Sequence, residues 1–128
     1  MVTQVTKGIK ITVTPIFREE FSNAEKNQFL FSYHVVIENN NDYTVQLLRR
    51  EWNIFDSNGA FSQVEGEGVI GQQPLIEPGD AYEYESACNL KTDIGKMQGT
   101  YLMQRKLDGL YFKVEIPEFE LIALHRLN

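Results

Sequence analysis

The 128 residues are a common length for one domain and can bury roughly two-thirds of the unfolded surface, so we predict a single domain over residues 1–128. Hydrophobic residues make up 42% of the chain and charged residues 23%, and the eight Phe and six Tyr residues exclude a disordered protein. The formal net charge of −6 argues against nucleic acid or an anionic membrane as a partner.

The first half of the chain alternates between apolar and polar residues, as half-buried strands do. In residues 9–17 the odd positions are apolar, and Pro15 among them indicates an edge strand or a bulge. Residues 29–37 keep one parity of aromatic and branched side chains and give the strongest strand signal. Residues 39–42 then predict a turn, since Asn and Asp tolerate left-handed conformations, and residues 45–55 a third strand.

The second half continues as short strands between turns. Reverse turns are predicted at Asp56-Ser57-Asn58-Gly59, at residues 77–80 and at the hairpin 107–109. Residues 93–99 predict a loop or a single helical turn, and Pro117 predicts an interruption before the last strand. The further strands are predicted at residues 61–65, 81–87, 100–106, 110–116 and 119–124.

About eight short strands at a spacing of about 8 to 12 residues are typical of an antiparallel β-sandwich. No long amphipathic helix interrupts them. Tyr101 follows a turn and opens a strand, as the tyrosine corner of such sandwiches requires. We therefore predict an all-β sandwich of immunoglobulin size with about seven to nine strands.

Residues 66–71 have the glycine spacing of the dinucleotide fingerprint, G-x-G-x-x-G. In that fingerprint a helix begins inside the motif and its amides hold a pyrophosphate group. Pro74 breaks any such helix, so we predict a loop between strands. The loop either only turns the chain or also offers its amides to an anion. The candidate phosphate or pyrophosphate site comprises Gly66, Gly68, Gly71, Arg49 and Arg50.

Arg50 and Trp52 lie on one face of the third predicted strand, and Arg49 points the other way. An arginine beside an aromatic ring can hold a peptide or an anionic partner, so Arg50 and Trp52 are candidate partner-binding residues. In the alternative interpretation Trp52 packs inside the sandwich and the arginines pair with Glu38 or Glu51.

The sequence contains no recognisable set of nucleophile, base and orienting group, so we predict no enzymatic activity, no cofactor and no metal site. His34 and His125 lack the neighbours of a zinc site, and the single cysteine, Cys88, has no adjacent base and excludes an internal disulfide. Several acidic residues are interpreted as a solvated surface, with direct binding of a divalent metal as a further alternative: Glu65, Glu67, Glu77, Asp80, Glu83 and Glu85.

Several strings of residues match a known family pattern in order. The longer two are Val45-Gln46-Leu47-Leu48-Arg49-Arg50-x-Trp52-x-Ile54-x-Asp56-x-x-Gly59 and Val64-x-Gly66-x-Gly68-Val69-Ile70-Gly71-x-Gln73-Pro74. Others are Tyr82-x-Tyr84-x-Ser86, Thr92-x-x-Gly95-x-Met97-x-Gly99-x-Tyr101-x-Met103 and Phe112-x-Val114-x-Ile116-Pro117-x-Phe119. On these residues the chain resembles the ApaG family over nearly its whole length. It departs from the pattern at Ser86-Ala87, where the family has Ser-Gly.

The resemblance implies a fibronectin-III-like or immunoglobulin-like sandwich, a link to cobalt and magnesium efflux or resistance, and a gene neighbourhood with diadenosine tetraphosphate hydrolysis. Related domains in an F-box protein and a polymerase delta-interacting protein imply recognition of protein partners.

We therefore expect a non-enzymatic module that binds an unidentified protein. Binding of a phosphate-containing small molecule is the alternative. The residues near Met1 lack the apolar run of a signal peptide, so we expect a cytoplasmic protein without membrane insertion. A homodimer formed through edge strands is also open.

Overall fold

The computed structural model describes residues 1–123, which form nine strands and two single 3-10 turns, Glu19–Phe21 and Ala24–Lys26. The strands are β1 (Val2–Thr6), β2 (Ile9–Phe17), β3 (Phe29–Asn39), β4 (Val45–Asp56), β5 (Phe61–Glu67), β6 (Leu75–Ile76), β7 (Ala81–Leu90), β8 (Ile94–Arg105) and β9 (Tyr111–Ile122). The prediction of an all-β chain is confirmed.

The strands form two antiparallel sheets. One sheet has the order β1-β2-β3-β7, and the other has the order β5-β4-β8-β9, with β6 paired to the start of β4. The two sheets face each other, and apolar side chains of both inner faces fill the space between them. The predicted sandwich is therefore confirmed. In residues 1–123 no helix is long and apolar enough to cross a membrane.

Aromatic rings join the two sheets at the centre of the core. Trp52 of β4 is 3% exposed, and its ring centroid lies 5.3 Å from that of Tyr33 on β3. The Trp52 and Phe119 rings meet edge to face at 5.9 Å. Each such pair contributes about 1 kcal/mol beyond the burial of its area. Val45 and Leu47 are also buried, so the change of register between Leu47 and Arg49 is what turns Trp52 inward. The packing interpretation of this residue is confirmed.

The prediction of a loop or helical turn at residues 93–99 is wrong from Ile94 onward, where β8 begins. Glycine in this segment permits close approach of the neighbouring strand instead of a turn. A Cβ on Gly95 would lie 2.4 Å from the Phe55 carbonyl oxygen, and one on Gly99 would lie 2.0 Å from that of Glu51. Both glycines therefore let β8 pair tightly with β4.

The prediction that Pro117 interrupts the last strand is also wrong, because β9 runs through it. The register with β8 shifts between Met97 and Gly99, and Ile116 and Pro117 are both buried at this bulge. Because β9 lies at the edge of its sheet, the missing amide of Pro117 removes no bond to a further strand. Leu124, the last residue predicted in this strand, lies outside the described residues.

Pro15 lies in the part of β2 that pairs with a strand on one side only. The pairing of β1 with β2 ends at Val2 and Val13, so beyond Val13 strand β2 is an edge, as Pro15 predicted. The prediction of a tyrosine corner at Tyr101 is wrong. Tyr101 lies in the middle of β8, fully buried, and its hydroxyl is 2.5 Å from the hydroxyl of Tyr84 on β7.

Candidate functional site

The glycine motif begins in β5 and ends in a tight reversal. The Val69 amide donates to the Gln72 carbonyl at 2.8 Å, and the Gln72 amide donates back at 2.9 Å. The two residues between them, Ile70 and Gly71, have φ values of 47° and 72°. This is a two-residue type I′ turn, and no helix follows it. The predicted loop between strands is confirmed and the dinucleotide interpretation is excluded.

Three amides of this loop serve the fold. The Gly68 amide donates to the Leu48 carbonyl at 2.8 Å, besides the two bonds of Val69 and Gln72. A Cβ on Gly68 would lie 2.0 Å from the Gln72 carbonyl oxygen, so this glycine permits the close approach of its own loop. An anion nest needs successive amides that point at a ligand, and these three point at carbonyl groups. Phosphate binding at the loop stays a prediction.

Arg50 supports the same loop from inside. Its Nη1 donates to the carbonyl oxygens of Glu67 at 3.1 Å and Gly68 at 2.9 Å. A Cβ on Gly66 would lie 2.8 Å from both terminal nitrogens of Arg50, so the guanidinium occupies the space that a side chain would take. The arrangement makes Arg50 and Gly66 one unit that fixes the loop to β4.

The expected carboxylate partners of Arg50 are engaged elsewhere. Glu38 lies 3.9 Å from the Lys10 ammonium, and Glu51 accepts from the Gln63 amide at 2.8 Å. The prediction that these two acids pair with the arginines is therefore wrong. Glu38 belongs to the opposite sheet, whereas Glu51 follows Arg50 in β4 and points to the other face.

Arg49 is separated from Arg50 by the path of β4. The register with β8 shifts between Leu47 and Arg49, so the strand resumes its alternation after one extra residue. Arg49 is exposed on the outer face, in a shallow depression that Glu65, Lys113 and part of Arg50 also line. The structure therefore brings Gly66, Gly68 and Arg50 together and leaves Arg49 on the other face.

A cleft of about 300 Å³ opens between β5 and β7, at the side of the sandwich where each sheet ends. Val64, Ile54, Trp52 and Arg50 line its β4–β5 wall, and Cys88 lines the β7 wall. Burial raises the pKa of the Cys88 thiol to about 11, and the charge of Asp56 adds to the increase. Sequence reasoning missed this cleft because no pattern within a strand shows which edges become neighbours.

The edge formed by β5, the type I′ turn and β6 carries exposed apolar side chains, and we call it the β5–β6 edge. Phe61 is 56% exposed, Val64 42%, Ile70 60% and Leu75 60%. Ile70 is unusual because branched side chains rarely occupy positive φ, a conformation that costs about 1 kcal/mol or more. The sequence signal was available, since type I′ turns favour Asn-Gly and this turn has Ile-Gly.

Titratable side chains do not converge elsewhere in the described part of the chain. No group of three His, Cys, Asp or Glu residues within residues 1–123 could hold a metal ion. The Nε2 atom of His34 lies 3.2 Å from a carboxylate oxygen of Glu83, and both side chains are exposed. His125 lies outside the described residues.

The sheet orders, the antiparallel pairing and the packed aromatic centre define a β-sandwich of the fibronectin-III-like or immunoglobulin-like class. Within this class the chain belongs to the ApaG family. The family model for the ApaG domain matches residues 19–105.

Relatives and solved structures agree with this assignment. Protein ApaG of Brucella canis is 46% identical over 121 residues, which cover 94% of this chain and 92% of the relative. Protein ApaG of Brucella anthropi is 45% identical over 117 residues, covering 91% and 89%. The crystal structure of the putative ApaA protein from Bordetella pertussis has a TM-score of 0.88 and 40% identity, covering 91% of this chain and 94% of that one. The resemblance read from the sequence is confirmed.

Proposed function

We propose that this chain is a non-enzymatic binding module of the ApaG type, which recognises a protein partner with the β5–β6 edge. The observation that carries the proposal is Ile70. Its side chain is 60% exposed at the tip of a turn whose φ of 47° disfavours it. Asn at the same position would suit both the turn and the solvent. A contact made by the Ile70 side chain outside this chain gives a reason for an apolar residue here.

The chemistry of the described side chains supports the non-enzymatic part of the proposal. The Cys88 thiol, with its pKa raised to about 11 by burial, stays protonated near neutral pH and is a poor nucleophile. The imidazole of His34 contacts Glu83 on an exposed sheet face, away from the cleft. A module of this kind would act in the cytoplasm. Its link to cobalt and magnesium efflux or resistance would operate through the partner.

The test is affinity capture from a cell extract with immobilised wild type and the Ile70→Asn variant. The variant gains a favourable Asn-Gly turn, so its free energy of unfolding should rise by about 1 kcal/mol while specific partners are lost. Leu107→Asn is the matched control, because Leu107 is 78% exposed at the tip of another hairpin. Retention of the same partners by Ile70→Asn, or the absence of any specific partner on wild type, would contradict the proposal.

The same variant separates the proposal from phosphate binding. Ile70→Asn keeps every loop amide and both arginines, so any affinity for diadenosine tetraphosphate or ATP should survive it. Arg49→Ala is the more suitable arginine variant, because Arg50→Ala also removes two bonds to loop carbonyls. Calorimetry that shows no heat for wild type at millimolar ligand would remove the phosphate alternative.

A further inference from the structure

We propose that β5 accepts an added strand from the partner, and that the added strand is an extended segment of alternating basic and apolar residues. This inference rests on the proposed function and specifies the chemistry of the partner.

The open edge of β5 carries the inference. Strand β5 pairs with β4 on one side and with no described strand on the other. Six of its seven residues are exposed, and it contains neither Lys nor Pro, which commonly protect an edge strand from pairing. Such an edge offers backbone groups to an extended peptide, and pockets for alternate side chains then provide specificity.

The inner side of an added strand would lie over the cleft. In the register with β4, Val64 is opposite Trp52 and Ser62 is opposite Ile54, so these β5 residues face inward. Val64 is 42% exposed because the cleft beside it is open toward β7. Apolar side chains on the inner face of the added strand would fill this space and cover Val64.

The outer side of the same strand would meet carboxylates. Glu65 is directly opposite Glu51, and Glu67 is opposite Arg49. Like charges directly opposite each other destabilise a sheet. In the part of the chain that the structure describes, no cationic nitrogen lies within 4.0 Å of the Glu65 or Glu67 carboxylates. Lys or Arg residues on the outer face of an added strand would pair with these two carboxylates.

Charge also disfavours pairing of β5 with β5 or β7 of a second copy of this chain. An antiparallel copy of β5 would place Glu65 and Glu67 near their own equivalents. The edge strand β7 would bring Glu83 and Glu85, and the whole chain carries −6. The complementary occupant is therefore a basic segment of another protein.

The test uses the full chain and a capped peptide of about ten residues with alternating Lys and Val. Hydrogen exchange of the β5 amides should slow by about tenfold or more at saturating peptide. A peptide in which Glu replaces each Lys should give no such protection. The Glu65→Lys, Glu67→Lys double variant should bind the Lys-Val peptide at least about tenfold more weakly than wild type.

The matched control is the Glu115→Lys, Glu120→Lys double variant, which makes the same change in net charge on the exposed residues of β9. At physiological salt, which screens distant charges, this control should bind the peptide with an affinity within about twofold of wild type. Absence of β5 protection, an equal loss in the control, or dimerisation of the chain through β5 would overturn the inference. If the Glu65, Glu67 variant still captures the partners that Ile70→Asn loses, the strand inference fails while the proposed function stands.

Discussion

At the scale of the residue, the loop is determined by the pairing of one glycine with one arginine. Gly66 lacks a side chain where the Arg50 guanidinium lies, and that guanidinium donates to the Glu67 and Gly68 carbonyls. The charged donor thus holds the end of β5 against β4. A backbone requirement explains Gly68 and Gly71, which have positive φ, but a packing requirement explains Gly66.

We predict that Gly66→Ala destabilises the chain by about 1 kcal/mol, because the new Cβ displaces Arg50 from the loop carbonyls. In an Arg50→Ala background the same change should cost much less, since the displaced group is already gone. Urea unfolding of wild type, both single variants and the double variant measures the coupling. Additive effects of the two substitutions would show that Gly66 and Arg50 do not act together.

At the scale of the element, one carboxylate fixes two strand connections to each other. Asp56 ends β4, and its side chain accepts from the Lys91 amide at 2.7 Å and from the Thr92 hydroxyl. Thr92 in turn lies 2.6 Å from the Ser57 hydroxyl. The β4–β5 turn of one sheet is thereby held to the β7–β8 connection, which joins the two sheets, at one end of the sandwich.

We predict that Asp56→Ala lowers the free energy of unfolding by about 2 kcal/mol, because two hydrogen bonds to a charged acceptor are lost. Asp56→Asn keeps one acceptor oxygen and should cost less. Asp42→Ala, at an exposed turn, is the control and should change stability by less than about 0.5 kcal/mol. Denaturant unfolding of the three variants measures these free energies. An equal loss of stability in Asp56→Ala and Asp42→Ala would contradict the prediction.

At the scale of the whole molecule, buried hydroxyl groups link the two sheets. Tyr84 of β7 and Tyr101 of β8 meet at 2.5 Å between the layers. Burial raises the pKa of both phenols above the ordinary value, and burial also raises the pKa of Tyr33. The packed core therefore requires that all three phenols stay protonated.

We predict that stability is lost at alkaline pH. Below about pH 8 the Tyr and Cys side chains are protonated in both states, and their contribution is fully present. As the pH rises the unfolded chain ionises first, Cys88 from about pH 9 and the tyrosines from about pH 10. Each side chain that stays protonated in the folded state but is ionised in the unfolded state then lowers the free energy of unfolding by about 1.4 kcal/mol per pH unit.

Unfolding in urea between about pH 8 and 11 measures this loss. Cys88→Ala should remove the part that begins near pH 9, because the folded thiol has its pKa raised to about 11. Tyr84→Phe should reduce the slope above about pH 10. A stability that does not change with pH across this range would contradict the prediction.

The sequence by itself determined most of the strands, because side chains in a strand alternate with a period of two. It did not predict β1 or β6. Residues 29–37 predicted the inner face of β3, and Leu107-Asp108-Gly109 predicted the β8–β9 hairpin, because these signals are local. The proline at position 74 was enough to exclude the dinucleotide interpretation.

Only the tertiary structure decided what the edges and bulges place together. The bulge after Leu47 brought Leu47 and Trp52 onto the same buried face, and a bulge between Met97 and Gly99 kept β9 continuous through Pro117. The cleft between β5 and β7 depends on which strands end each sheet. That order is set by long-range packing of the two sheets, which no alternation within a single strand encodes.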